Sequence, residues 1–220
     1  MEKQISFKSR ARLMPQIGDQ LIKNESIALL ELVKNAYDAD APDVWVEMWD
    51  IDKTDKGKII VKDNGDGMDL SIVENSWMEI GTDNKKNLLD DYILNHKKSA
   101  LGRLPMGEKG IGRFGVHKLG SKITLITRMQ GRKEVVVKID WTSFEKFDYL
   151  EQVPITVIER EPEYFTGQQK GTYIEITELK NVWTRGKLRD VYRSIMSLQS
   201  PFESIQSFNV VFETNHKEWL

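Results

Sequence analysis

Glu31, Asn35 and Asp38 stand at i, i+4 and i+7 in Glu31-Leu32-Val33-Lys34-Asn35-Ala36-Tyr37-Asp38, so on a helix they share one face. An acid, an amide and an acid in one stripe can hold a metal ion through Asn35 while Glu31 handles a proton. The same pattern also suits a solvated polar face opposite Ile27, Leu30 and Val33. A second group is Asp63-Asn64-Gly65-Asp66-Gly67-Met68, at the end of an apolar run. Two glycines two apart let backbone approach a flat ligand, and a carboxylate at a strand end accepts amino hydrogens from a base. A plain Asn-Gly or Asp-Gly turn is the competing reading. A calcium loop is not, because Gly65 and Gly67 stand where that motif needs oxygen ligands.

The third group is Gly107-Glu108-Lys109-Gly110-Ile111-Gly112-Arg113-Phe114-Gly115. Its glycines satisfy G-x-G-x-x-G, but Pro105 and the polar stretch before it are not the buried strand that a Rossmann turn follows. A glycine-rich turn that opens a helix still aims backbone N–H groups at phosphate. A surface loop is the alternative. No G-x-x-x-x-G-K-[ST] occurs, so a P-loop is excluded. The fourth group, Gly171-Thr172-Tyr173-Ile174-Glu175-Ile176, reads as a strand with a threonine at its start.

The elements that position these groups follow from hydrophobic period. Arg10 to Ile22 reads as a helix. Asn24 or Glu25 caps a second one, which turns Ile27, Leu30, Val33 and Tyr37 to the core and ends at Pro42. Val44–Trp49 alternates as a strand, and Lys58–Lys62 runs into the Asp63 turn. Leu70 to Ile80 reads as helical. Gly81 to Met106 is polar and charged, without firm period, as functional loops of that length are. Lys97, Lys98 and Arg103 in it suit a solvated loop better than phosphate contacts. A hairpin joins Lys122–Arg128 to Glu134–Ile139 near Gln130-Gly131. Pro154–Glu159, Thr172–Thr177 and Phe208–Phe212 add strands, and Leu188–Leu198 a helix. Helices lead and strands cluster later, which gives an α+β two-layer sandwich rather than regular βαβ repeats.

Composition narrows the function classes. The 220 residues carry a formal net charge of −2, which removes the broad basic field of an obligate nucleic-acid binder. Cysteine is absent, and three scattered histidines do not make a metal site. No apolar run approaches the ~20 residues of a membrane helix, and Met1-Glu2-Lys3-Gln4 opens no signal segment. These features indicate a soluble, cytoplasmic chain. Trp45, Trp49, Trp77, Trp141 and Trp183 read as core or edge packing rather than base-stacking platforms.

The order of the four groups resembles the GHKL ATPase superfamily of gyrase, heat-shock-ninety chaperones, histidine kinases and MutL. The resemblance runs from about Ile5 to the Thr172 strand, with wording nearest the MORC-like, MutL and chaperone branches. It implies a Bergerat-type ATP-binding fold, a mostly antiparallel mixed sheet covered on one face by helices. It also implies roles for residues. Glu31 matches the general base that activates water, and Asn35 the ligand of magnesium bridging the phosphates. Asp63 matches the carboxylate that reads the adenine amino group, helped by Gly65, Gly67, Met68 and Thr172. Gly107, Gly110, Ile111 and Gly112 match the phosphate-wrapping turn, and about Thr82 to Met106 the lid. Asp38 falls in the same motif as Glu31.

The expected function is therefore magnesium-dependent ATP binding and slow hydrolysis, used as a lid-closure and dimerisation switch that drives a downstream domain. Full activity would need a Lys or Arg from that domain, since none here matches the role. The alternatives are the ATP-binding part of a histidine-kinase-type phosphotransferase and a non-hydrolysing nucleotide sensor. Only 30 residues precede Glu31, with no histidine among them, which counts against the kinase. Residues 1–200 are expected to form the ATP-binding domain and 201–220 the start of a following domain or a C-terminal strand of a chain cut from a longer one. Expected partners are ATP or ADP, a second copy in an ATP-dependent homodimer, and the downstream domains. Nucleic acid or a client protein would act through those domains, and a membrane is not among the partners.

Overall fold

A computed structural model of the protein describes residues 4, 6–79, 99–103, 106, 112–198 and 208–220. Seven strands form one sheet: β1 (Asp43–Trp49), β2 (Lys58–Asp63), β3 (Gly120–Arg128), β4 (Glu134–Asp140), β5 (Thr156–Arg160), β6 (Gly171–Leu179) and β7 (Asn209–Thr214). Their order is β5-β4-β3-β6-β2-β1-β7. Every pairing is antiparallel except β1 with β7. The described helices are α1 (Leu13–Leu21), α2 (Glu25–Asp38), the single turn α3 (Leu70–Ile72) and α4 (Arg185–Met196). The expected α+β sandwich with a mostly antiparallel mixed sheet is what forms.

Strand period explains the layering. In β1, Val44, Val46 and Met48 are fully buried, while Trp45, Glu47 and Trp49 face outward and are half-buried. On β3, Ile123 and Leu125 join the buried face, and on β6 Ile176 does. Trp141 and Trp183 are core residues as expected, whereas Trp45 lies on the sheet's outer face with the Lys62 ammonium 5.2 Å from its ring centre.

Asn24 caps α2 through Oδ1, which accepts the Ile27 N–H at 2.9 Å. The helix stops at Asp38, and Asp40 takes a left-handed φ of 54° just beyond it. Its inward stripe matches the expected one at Val33 and is deeper elsewhere. Leu29, Leu32, Val33 and Ala36 are buried with Ala28, while Ile27, Leu30 and Tyr37 pack partly buried against the core. The small Ala28 and Ala36 let the helix sit close on its neighbours, so the deepest line runs beside the bulky residues.

Two further boundaries move. α1 begins only at Leu13, because Arg10 forms an isolated bridge with Tyr149 instead of a helical turn. Leu70–Ile80 is not one α-helix. After α3 the chain widens into a π-turn over Val73–Trp77, with the Met78 N–H reaching the Val73 carbonyl at 2.8 Å. Ile80 and most of the expected lid, including Lys97 and Lys98, lie outside the described residues.

Candidate functional site

β2 ends at Asp63 in the middle of the sheet, between β1 and β6, and the chain then turns over the buried face. Asp63 Oδ1 accepts two backbone N–H groups, from Gly65 at 2.9 Å and from Thr172 at 3.2 Å. Among the described residues no bond is made to its second oxygen. The side chain is 7% exposed. Burial pushes the Asp63 carboxyl up to about 6, and nearby Asp66 pushes the same way. The two N–H groups and Lys170 pull it back only in part. Lys170 Nζ itself is bonded to Asp66 at 2.7 Å.

The glycines around Asp63 are required by the protein's own packing. Gly67 has φ +66°, and a Cβ there would stand 2.1 Å from the Arg128 carbonyl oxygen. Gly171 has φ +134°, and its Cβ would meet the Asp63 carbonyl oxygen at 2.1 Å. The turn after β2 is therefore pressed against β3 and β6 at a distance only glycine tolerates.

Asp63, Gly67, Met68 and Thr172 line one end of a cavity of about 710 Å³. Asn35 and Asp38 line the same cavity from α2. Its other walls are mostly apolar, including Leu125, Ile139, Trp141 and Phe144, with Ser76 and Glu151 as further polar lining. A concave apolar space with a few converging polar groups is the usual form of a small-molecule site. A flat heterocycle suits such walls, and the buried Asp63 offers an acceptor for its amino group.

The α2 stripe divides in the structure. Glu31 accepts a hydrogen bond from Lys34 Nζ at 2.8 Å and is not among the described residues that line the cavity. Asp38 Oδ1 accepts the Met106 N–H at 2.6 Å, which ties α2 to the residues at the end of the expected lid. Arg103 is not the solvated loop residue expected. It is buried, with Nη1 donating to the Ala41 carbonyl at 2.8 Å and its guanidinium against the rings of Tyr37 and Phe208. Asp40 completes this anchor by accepting from Ser99 Oγ at 2.6 Å and from the Leu101 N–H at 3.1 Å.

Gly112 opens a short 3₁₀ segment, Gly112–Lys118. Gly107, Gly110 and Ile111 lie outside the described residues. Among the described residues no group of three or more His, Asp or Glu is arranged to hold a metal ion. Among them, too, no helix is long and apolar enough to cross a membrane.

One residue at this corner was not among the expected site residues. Thr127 on β3 is fully buried and pairs in register with Thr172 on β6. Its Oγ1 accepts the Met68 N–H at 2.8 Å and lies 3.2 Å from Thr172 Oγ1. The only sign of it in the sequence is a polar residue where Ile123 and Leu125 set an apolar alternation.

Comparison with known proteins agrees with this geometry. Residues 23–172 match the family described as histidine kinase-, DNA gyrase B- and HSP90-like ATPase. No curated protein matches the chain. Among solved structures, the N-terminal domain of a DNA repair protein is similar, with a TM-score of 0.54 at 19% identity. That likeness covers 96% of this chain and 55% of the other, so the chain spans about half the length of that structure.

Proposed function

The chain belongs to the histidine kinase-, DNA gyrase B- and HSP90-like ATPase family, whose domains bind ATP, and on that premise we propose that it binds ATP with magnesium in the cavity beside Asp63. The observation that carries this reading is a buried carboxylate lining a largely apolar cavity, with two backbone N–H groups on one oxygen and, among the described residues, no hydrogen bond to the other. A charged acceptor in that setting gains most from an amino group, since hydrogen bonds to charged groups are worth about 1.5–3 kcal/mol net.

Asp63 reads the exocyclic amine of the base, with Thr172 and the Gly65–Met68 turn shaping the pocket around it. Asn35 offers an amide oxygen on the cavity wall. Magnesium takes few protein oxygens and completes its shell with phosphate and water, so a single amide fits that ion better than a dedicated protein cage. When bound, the ion would spread the triphosphate charge that Asp38 and Glu31 otherwise repel. Gly107, Gly110, Ile111 and Gly112 are proposed to supply phosphate-facing amides. Hydrolysis would use Glu31 to take a proton from the attacking water, a contribution of about 10²–10⁴ in rate for a positioned base. Nucleotide-driven closure and pairing of two copies would turn that binding into a switch, with nucleic acid or a client protein engaged through further domains.

A second reading, a nucleotide sensor that binds without turnover, is favoured by the Glu31–Lys34 ion pair at 2.8 Å, which engages the carboxylate away from the cavity. Two measurements on the same preparation separate the readings. Calorimetric titration with ADP and a non-hydrolysable ATP analogue, with magnesium, should show binding by the wild type that falls at least about tenfold in Asp63→Asn. Clean absence of wild-type binding would sink the ATP site. Single-turnover hydrolysis by wild type and Glu31→Gln then decides the rest. Turnover lost in the variant with binding kept supports the ATPase with Glu31 as base, and a wild type that binds without turnover supports the sensor.

A further inference from the structure

α4 carries more positive charge than its surroundings use. Arg185, Arg189 and Arg193 stand at i, i+4 and i+8, so they share one flank of the helix, spaced about 6 Å along its axis. Arg185 and Arg193 are exposed and Arg189 is half-buried. Among the described residues none of the three is in an ion pair, and Asp190 is the one acid on the helix. Lys187, on the opposite flank, does have a partner: Glu25 at the start of α2, at 3.1 Å. α2 packs over β1 and β2, so the arginine flank faces away from the middle of the sheet, beyond β7.

β7 is where the sheet ends. It pairs with β1 on one side, and among the described residues no strand pairs with its other side. α4 starts by the exit end of β1, where the Trp183 N–H meets the Ile51 carbonyl at 2.8 Å. It then packs back along β7, with Tyr192 edge-on to Phe212 at 5.3 Å between ring centres. After β7 the chain turns back toward β1 rather than along the edge, with His216 Nε2 at 3.2 Å from Oδ1 of Asp52 in the β1–β2 turn. Neither proline nor lysine, two usual guards of a free edge, occurs in β7.

An open strand edge and a file of unpaired arginines beside it suit the same ligand. Side chains on one face of an added strand repeat every two residues, about 6.6 Å. Carboxylates at i, i+2 and i+4 of such a strand would fall opposite the three arginines while its backbone pairs with β7. A bilayer suits the surface less, because Leu188, Val191 and Ile195 of α4 are already buried in the core. A nucleic-acid duplex would use the arginines and leave the strand edge unpaired. We propose that β7 and the arginine flank of α4 form a docking edge for an extended acidic segment of a partner protein. The edge shares none of the described residues that line the Asp63 cavity, and so stands apart from the nucleotide reading.

The test titrates the whole chain into a labelled, end-capped peptide of alternating glutamate and valine, about seven residues long. Fluorescence anisotropy at low salt should show binding that falls about tenfold in the triple variant Arg185→Ala, Arg189→Ala, Arg193→Ala, the sum of three exposed ion pairs. A peptide with glutamine in place of glutamate should lose as much. Reversing the same three arginines to glutamate should switch the preference to a lysine–valine peptide. A glutamate–valine peptide N-methylated at alternate amides should not bind, since it cannot pair with a strand edge. No binding by the wild type, equal binding by the triple alanine variant, or full binding of the N-methylated peptide would each overturn the proposal. Tighter binding of a short DNA duplex or of phosphatidylserine vesicles, lost in the same variant, would overturn it in favour of that partner.

Discussion

Two buried carboxylates, Asp63 and Glu134, lie in one sheet and behave in opposite ways. Glu134, at the start of β4, has a fully buried side chain, and both of its oxygens are used. Oε1 accepts from Arg160 Nε at 3.0 Å and Nη2 at 2.8 Å, and Oε2 accepts the Tyr164 and Phe165 N–H groups at 2.9 Å each. Burial alone would raise its pKa, but the Phe165 and Tyr164 N–H groups and the Arg160 guanidinium together hold it below the usual carboxylate range. Asp63 is also desolvated by burial, but it has two N–H groups on one oxygen and no cation bonded to it, and it rises to about 6. Glu134 is spent on holding the loop after β5. Asp63 retains bonding capacity, and that is what a ligand needs. In the proposed reading, that shortfall in internal hydrogen bonding is carried at a cost to stability.

The largest effect that would break this contrast is at Glu134. Glu134→Ala should cost about 3–5 kcal/mol, because it leaves the Tyr164 and Phe165 N–H groups unpaired and takes from Arg160 its buried partner, leaving it only Glu163. Denaturant unfolding measures it, and a loss below 1 kcal/mol would remove Glu134 from its structural role.

Asp63→Asn should move stability the other way. A carboxyl whose folded pKa lies above its unfolded value favours the fold when protonated. Its ionisation therefore lowers stability progressively as pH rises from about 4 to about 6, and the deficit persists above that. Removing the charge should stabilise the ligand-free protein by about 2–3 kcal/mol at pH 7 and by little at pH 4. Thermal unfolding of both forms across that range checks the sign. A variant less stable than wild type at pH 7 would mean that Asp63, too, is chiefly structural.

The smallest effect sharpens the comparison. Lys170 is a partly exposed cation near Asp63, bonded to Asp66. Lys170→Ala should change stability by less than about 1 kcal/mol, as surface pairs do. It should also move the Asp63 titration slightly upward, readable as a small shift of the pH profile. A large loss of stability would show that Lys170, not burial, governs the site.

Much of this was legible in the amino-acid order. The Asp63 turn sits at the end of β2, Asn24 caps α2, and the β3–β4 hairpin turns near Gly131, because these depend on local period, capping and turn chemistry. Arg103 and Thr127 were not legible as what they are. A charged residue in a polar stretch and a threonine in a strand have ordinary local readings, and only distant partners change them: Ala41 and Phe208 for Arg103, Met68 and Thr172 for Thr127. The deepest line of α2 was legible only at Val33, since burial of Ala28, Leu29, Leu32 and Ala36 depends on surfaces from elsewhere in the chain.

By itself, the sequence determined most of the strands and helices, the position of the acidic turn after β2, and the order of motifs that marks the family. Only the tertiary structure decided which carboxylate is saturated and which is poised, and which glycines are forced by backbone contact. The reason is that desolvation and hydrogen-bond counting are properties of a site, not of a segment. Asp63 receives its second N–H from a residue 109 positions away, and no local pattern encodes that meeting.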